Sequence, residues 1–135
     1  LGEREGYSKQ EVRYTFNGFL EAFKALDKEK LLPFISTDHQ STLVLGNRIY
    51  RGSQVRDYFD RVIDMSSSFD SLNVSNLKVE ALQGGLVLLS CSFFEKYRLK
   101  NAPDPFSFDG AALYIFRKEK NSWRIFQAAG GGVFR

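Results

Sequence analysis

From Val12 onward, apolar residues recur at three- and four-residue steps: Val12, Phe16, Phe19, Leu20, Phe23 and Leu26, with Arg13, Glu21 and Lys24 displaced from the stripe. That spacing predicts an amphipathic helix with one face in a core. Just ahead of it, Ser8-Lys9-Gln10-Glu11 has the form of a capping box, in which the Glu11 N–H donates to the Ser8 hydroxyl and the Ser8 N–H to the Glu11 carboxylate. The helix is therefore expected to start at Ser8, and the polar, Gly-punctuated residues 1–7 to form a flexible tail. Asp27 can cap a second, short helix through Leu31 and Leu32, which Pro33 stops because it lacks an N–H. Gly46-Asn47 between two short apolar runs, Thr42–Leu45 and Arg48–Arg51, predicts a hairpin. After Gly52-Ser53, the residues Val55, Phe59, Val62 and Ile63 share one face of a third helix that ends at Ser66-Ser67-Ser68.

The rest reads as strand. Leu72 and Val74 alternate in one phase and Leu77, Val79 and Ala81 in the other, so a bulge near Ser75-Asn76 would keep the apolar set on one face and bend the sheet. Gly84-Gly85 turns into a long strand over 86–99, whose faces read Val87, Leu89, Cys91, Phe93, Glu95, Tyr97 and Leu88, Ser90, Ser92, Phe94, Lys96. Pro103-Asp104-Pro105 marks a loop before strands over 106–118 and 123–129, which join at Asn121-Ser122; Gly130-Gly131-Gly132 is expected to loosen the end of the last one. This order of elements predicts an α+β domain over 8–135, a strongly bent antiparallel sheet wrapped around the N-terminal helix with two further helices.

Composition sharpens the picture. At 135 residues and 43% apolar content the chain fits one core and one domain. Thirteen Phe and six Tyr against one Trp and one Met mean that rings must pack on rings, and an aromatic-lined cavity follows naturally. The net charge of +3 is spread along the chain, and Lys96, Arg98, Lys100 and Arg117, Lys118, Lys120 alternate with Glu95 and Glu119. This reads as a solvated sheet edge and argues against a nucleic-acid partner. Cys91 has no second cysteine to bridge to. No apolar run approaches the roughly 20 residues of a membrane span, nor does the start resemble a signal-peptide core, so a soluble protein with no membrane partner is expected. The chain begins at Leu1 rather than Met, which leaves the compartment open to a removed upstream segment.

Ala25-Leu26-Asp27 leading to Leu31-Leu32-Pro33-Phe34-Ile35, then Tyr50-Arg51-Gly52 before a helix, and Tyr114-Ile115-Phe116-Arg117 turning into Trp123-Arg124-Ile125 resemble, in that order, the NTF2-like superfamily, and within it the SnoaL-like and DUF4440-type proteins. The resemblance spans 8–129 and implies a cystatin-like cone. The superfamily includes ketosteroid isomerases, dehydratases, epoxide hydrolases, polyketide cyclases, transport factors and kinase association domains, many of them dimers through the outer sheet face, so it implies a homodimer without choosing a function. An isomerase of this kind needs a carboxylate base, but the resemblance places Leu43 at that position, in a stretch without any acid. The oxyanion-holding position falls on Leu113 or Tyr114.

Three groups of side chains are candidates for chemistry. Asp38 beside His39 could tune it for proton transfer, although neighbours in an extended segment point apart and a polar strand entrance explains both. A lone His without clustered ligands falls short of a metal site. Cys91, Glu95 and Tyr97 share a strand face, with Asp109 on the strand expected to pair with it; this could be a carboxylate pair with one raised pKa, or exposed acids paired with nearby bases. Tyr14, Tyr50, Tyr58, Tyr114, Trp123 and Gln127 could line a cavity with an apolar body and a polar tip, or serve only as core and dimer-face packing. No cofactor motif is found, and no catalytic residue is assigned. Two readings result: a small-molecule-binding protein with weak lyase or isomerase activity on a small apolar or mixed-polarity ligand, or a non-catalytic homodimerising module that uses its outer sheet face.

Overall fold

A computed structural model describes residues 2–135, with side chains described from residue 4. Helix α1 spans Gly2–Lys24, so it is already formed when it reaches Ser8, and the expected capping box does not start it. Arg4 and Glu5, good helix formers on an exposed surface, continue the helix backwards through the expected tail. At the other end Leu26 takes φ +54°, the Leu26 N–H donates to Phe23 O and the Asp27 N–H to Ala22 O, a Schellman closure. Asp27 then caps α2 (Lys28–Leu31) by accepting from the Lys30 N–H at 3.2 Å, and a 3-10 turn, Leu32–Phe34, carries Pro33.

Strands β1 (Thr42–Leu45) and β2 (Arg48–Arg51) form the expected hairpin around Gly46, which takes φ +57°. Helix α3 is Ser53–Met65. It ends at the serines as expected, and these also open the next strand: β3 is Ser66–Ala81, anchored where the Ser66 hydroxyl donates to Val62 O at 2.7 Å. A 3-10 turn at Gln83–Gly85, with both glycines at φ +76°, leads to β4 (Val87–Leu99), and β5 (Phe106–Glu119) and β6 (Ser122–Phe134) complete the meander.

The six strands lie in the order β2-β1-β6-β5-β4-β3, all antiparallel except β1 against β6. The expected bulge is present between Ser75 and Lys78, with Asn76 at φ +52°, and two further slips fall at Ser66/Ser68 and Phe69/Ser71. Together they bend β3 so that the sheet curls around α1 without closing.

One expectation is overturned at the C-terminal end. Gly130, Gly131 and Gly132 do not loosen β6; they continue it, paired with Ala112, Ala111 and Gly110. The approach there is so close that a Cβ on Gly132 would overlap the Asp109 carbonyl oxygen and lie 2.7 Å from Gly110 Cα.

The core sits between α1, α3 and the concave sheet face. Val12, Phe16, Phe19 and Ala22 of α1 meet Val55, Phe59 and Ile63 of α3 and Val87, Leu89, Phe116 and Ile125 of the sheet, all buried. Phe19 is the hub of the ring packing, with Phe16, Phe23, Phe34, Phe59 and Tyr114 all within 6.2 Å between centroids. At the Ser36 end of the sheet a polar clamp joins the segment after the 3-10 turn Leu32–Phe34 to β5. Ser36, fully buried, donates its hydroxyl to Glu119 at 2.7 Å, and Arg117 donates to both Glu119 and, at 3.1 Å, Asp38. The Arg117 guanidinium lies 3.8 Å from the Phe126 ring centroid. Among the described residues no helix is long and apolar enough to cross a membrane.

Candidate functional site

Wrapping a bent sheet around one helix leaves room where the two diverge. A cavity of about 410 Å³ opens between α1, α3 and the concave face, within the size range of small-molecule sites. Its helical wall is Phe16, Phe19, Leu20 and Phe23 with Tyr58 and Phe59 of α3. Its sheet wall is built on strand parity. Cys91, Phe93, Glu95 and Tyr97 of β4 share one face, and the ladder sets Phe108 opposite Glu95 and Ala112 opposite Cys91 on β5. On β6 the wall is Ala128, Ala129 and the three glycines, so the room left by missing side chains is part of the cavity. Phe108 stacks on Phe93 at 5.8 Å and meets Phe134 edge-on at 5.0 Å, which packs rings against this bare strip.

Among the described residues, the polar groups that line the cavity are Tyr58, Cys91, Glu95, Tyr97 and Tyr114, and no Lys, Arg or His lines it. Glu95 is flanked in the sheet by Leu72 of β3 and Phe108 of β5. Burial among these apolar neighbours lifts its pKa from 4.5 to about 7, with desolvation the sole cause. Desolvation chiefly, then the charges of Tyr50 and Glu95, push the Tyr58 phenol up to about 12. The Tyr97 and Tyr114 phenols move up for the same first reason, and Glu95 contributes to both. Burial likewise raises the Cys91 thiol. The result is one carboxyl group that exchanges its proton near neutral pH, surrounded by phenols that stay protonated and can donate to an oxygen on a ligand.

The remaining sequence candidates lie elsewhere. Asp109 stands opposite Phe94, one residue out of step with Glu95, so its side chain leaves on the other face, where it pairs with Arg135; the two carboxylates do not meet. Tyr14 is 83% exposed on α1. Trp123 is buried under α1 with its indole N–H donating to Glu11 at 3.2 Å, and Tyr14 and Trp123 border a separate outer groove. The Tyr50 ring packs at a tilt of 44° against Tyr58, 5.0 Å between centroids, without lining the cavity. Gln127 donates to Gln40 O at 2.9 Å. Asp38 is engaged in the clamp. The Gln40 N–H, first, and Arg117 hold its carboxyl below the usual range, and His39 beside it is 89% exposed at 3.5 Å. Leu43, which the resemblance placed at an isomerase base position, does line the cavity and brings no acid; of the pair Leu113 and Tyr114, the latter faces inward and Leu113 is 40% exposed on the other side. The residues that sequence reasoning missed are Phe93, Phe108, Phe134 and the glycine strip. Parity with Glu95 would have found Phe93, but Phe108 needed the β4–β5 register. Among the described residues no group of three or more His, Cys, Asp or Glu gathers to hold a metal.

No family model and no curated protein matches the amino-acid sequence. Solved structures do match the fold. An NTF2-like superfamily protein from Salmonella enterica serovar Typhimurium superposes with a TM-score of 0.82 at 14% identity, over 94% of this chain and 92% of the other. A Streptomyces avermitilis protein of the NTF2-like family, provisionally described as a dehydratase, gives 0.82 at 15% identity over 95% and 97%. The hexachlorocyclohexane dehydrochlorinase LinA-type3 from Novosphingobium barchaimii gives 0.76 at 13% identity over 96% and 89%. At such identities the shared property is the fold.

Proposed function

We propose that this chain, which has the NTF2-like fold, binds a small, largely apolar molecule in the cavity and that Glu95 exchanges a proton with it in a lyase- or isomerase-type step. The observation that carries the reading is a lone carboxyl group, tuned by burial to about 7, in the wall of an aromatic cavity of about 410 Å³. Near neutrality both its forms are populated, the condition for efficient general acid–base work. In an elimination, the Glu95 carboxylate takes a proton from a carbon of the ligand, the C–H electron pair becomes the new double bond, and the leaving group departs with its electrons toward a phenol of Tyr58, Tyr97 or Tyr114. Returning the same proton to a different carbon makes the step an isomerisation. The structural neighbours described as a dehydratase and a dehydrochlorinase support this class of chemistry, since both names denote eliminations.

Calorimetry with naphthylethanol, a neutral aromatic probe, tests the binding reading. Wild-type protein should bind it, and Ala112→Leu, which places a larger side chain in the cavity wall, should weaken binding at least about tenfold while the protein stays folded. Equal binding by both proteins would move the site out of the cavity.

A second reading rests on the other face of the sheet, where Leu113 is 40% and Val133 65% exposed, with Ile49 of β2 at 55%. These residues suit a second copy of the chain, giving a homodimer through the outer sheet face. Light scattering at micromolar concentration should return twice the 15.4 kDa chain mass, and Leu113→Lys should return the single mass. A monomeric wild type ends this reading.

A further inference from the structure

Among the described residues, every other carboxylate that is not exposed has a cation beside it. Asp38 and Glu119 share Arg117, Asp70 meets Arg98, Asp109 meets Arg135, Asp60 and Asp64 meet Lys28, and Glu80 meets Lys78. Glu95 differs. The groups that face it are Tyr58 from α3, Cys91 and Tyr97 along β4, Tyr114 from β5, and otherwise the apolar side chains of Leu72, Phe108 and α1. Among the described residues no basic side chain lines the cavity that holds it. An acid placed in an apolar wall without a counter-charge costs stability whenever it ionises, and a buried charge is normally retained only where a partner meets it.

We propose that the partner arrives with the ligand: the cavity selects molecules that join an apolar body to a protonated amine, which pairs with Glu95 among the aromatic rings of Tyr58, Tyr97 and Tyr114. The walls fit that cargo on three counts. The carboxylate supplies the opposite charge and accepts the N–H donors. The electron-rich faces of surrounding phenols attract a cation, more strongly when water is excluded. With no Lys, Arg or His among the described lining residues, an anionic ligand meets no counter-charge and one carboxylate that repels it. This inference rests on the cavity being a ligand site and not on the proton transfer, because an ammonium paired with Glu95 holds the carboxylate ionised and such a ligand is bound without conversion; the test separates the two.

Three probes with one ring system and different head groups decide it: naphthylethylamine, naphthylethanol and naphthylpropionate, each titrated into the protein by calorimetry between pH 6 and 9. At pH 8 the amine should bind about tenfold or more tightly than the alcohol, and the carboxylate more weakly than either. The amine keeps its proton over this range while Glu95 takes one up below about 7, so amine affinity should fall on acidification and alcohol affinity should not. Glu95→Gln, nearly identical in shape, should cancel both the amine preference and its pH dependence, leaving the alcohol bound. Equal affinity for amine and alcohol at every pH, or an amine preference that survives Glu95→Gln, overturns the inference and leaves the cavity reading standing. Failure of all three probes to bind at millimolar concentration overturns both.

Discussion

Two parts of the sheet hold carboxylates in partly buried positions, and they handle them in opposite ways. At the Ser36 end, Glu119 accepts from a fully buried hydroxyl and from Arg117 at 2.9 Å, while Asp38 takes the other side of the same guanidinium and the Gln40 N–H. Each charge there is met by protein, and the product is a fixed connection between the segment before β1 and the β5–β6 turn. In the cavity, Glu95 lies between Leu72 and Phe108 on its strand neighbours and finds no cation at all. The first arrangement holds the Asp38 carboxyl below the usual range and so removes it from proton chemistry at neutral pH. The second makes ionisation costly and so places a proton within reach. Asp38, adjacent in sequence to His39 and suggestive as a pair with it, belongs to the first kind; Glu95 belongs to the second.

The cavity depends first on the bare strip that bounds it, and the largest effect is expected there. Gly132→Val should cost about 4 kcal/mol, because its Cβ must displace the Asp109 carbonyl and with it a strand pairing, whereas Gly131→Ala, whose Cβ meets nothing within 4 Å, should stay within about 0.5 kcal/mol. Urea unfolding midpoints of the two variants check this; similar losses would mean that the glycines are needed only for flexibility. Next comes the cost of Glu95. Between about 4.5 and 7 the folded state holds a proton on Glu95 that the unfolded state has released, so stability contributed by this group falls as pH rises through that window. Glu95→Gln should therefore be more stable than wild type by about 2 to 3 kcal/mol at pH 8, with the advantage vanishing near pH 4. Parallel stability profiles for the two proteins would show that water reaches Glu95 and that the cavity does not desolvate it.

The sequence made the two regions unequally readable. The α1 stripe, the Gly46-Asn47 hairpin, the Ser75-Asn76 bulge and the Glu95 face of β4 could all be read from spacing, because local periodicity reports which side of an element is buried. Helix α1 ran earlier than Ser8 because a capping pattern inside a run of good helix formers is only a set of exposed polar residues. The clamp was invisible, since Ser36, Asp38, Arg117 and Glu119 come together only through pairing of distant segments. The same limit applied to Asp109: a one-residue difference in the β4–β5 register decides whether it joins Glu95 or faces away, and no local signal sets that register. The glycines were misread for a related reason. A Gly run weakens an isolated strand, but against Gly110, Ala111 and Ala112 it permits an approach that larger residues forbid.

The clamp supplies the smallest of the expected effects and the cleanest contrast. Glu119→Ala removes the acceptor of a hydroxyl that has no access to water and one of the two carboxylates on Arg117, while Arg117 keeps Asp38 and its seat on Phe126. Loss of one well-made acceptor with a buried donor left over costs about 2 kcal/mol. Glu119→Gln, which still offers an oxygen to Ser36, should recover about half of that. Because none of these groups lines the cavity, naphthylethanol affinity should stay within about twofold in both variants, in a titration run well below the unfolding midpoint. The expected pattern is thus crossed: changing Glu119 lowers stability and spares binding, and changing Glu95 raises stability at pH 8 and alters what is bound. A clamp variant that weakens ligand binding as much as it weakens the fold would mean that the two ends of the sheet are mechanically one, with the position of β5 in the cavity wall set by its links to Ser36 and Asp38.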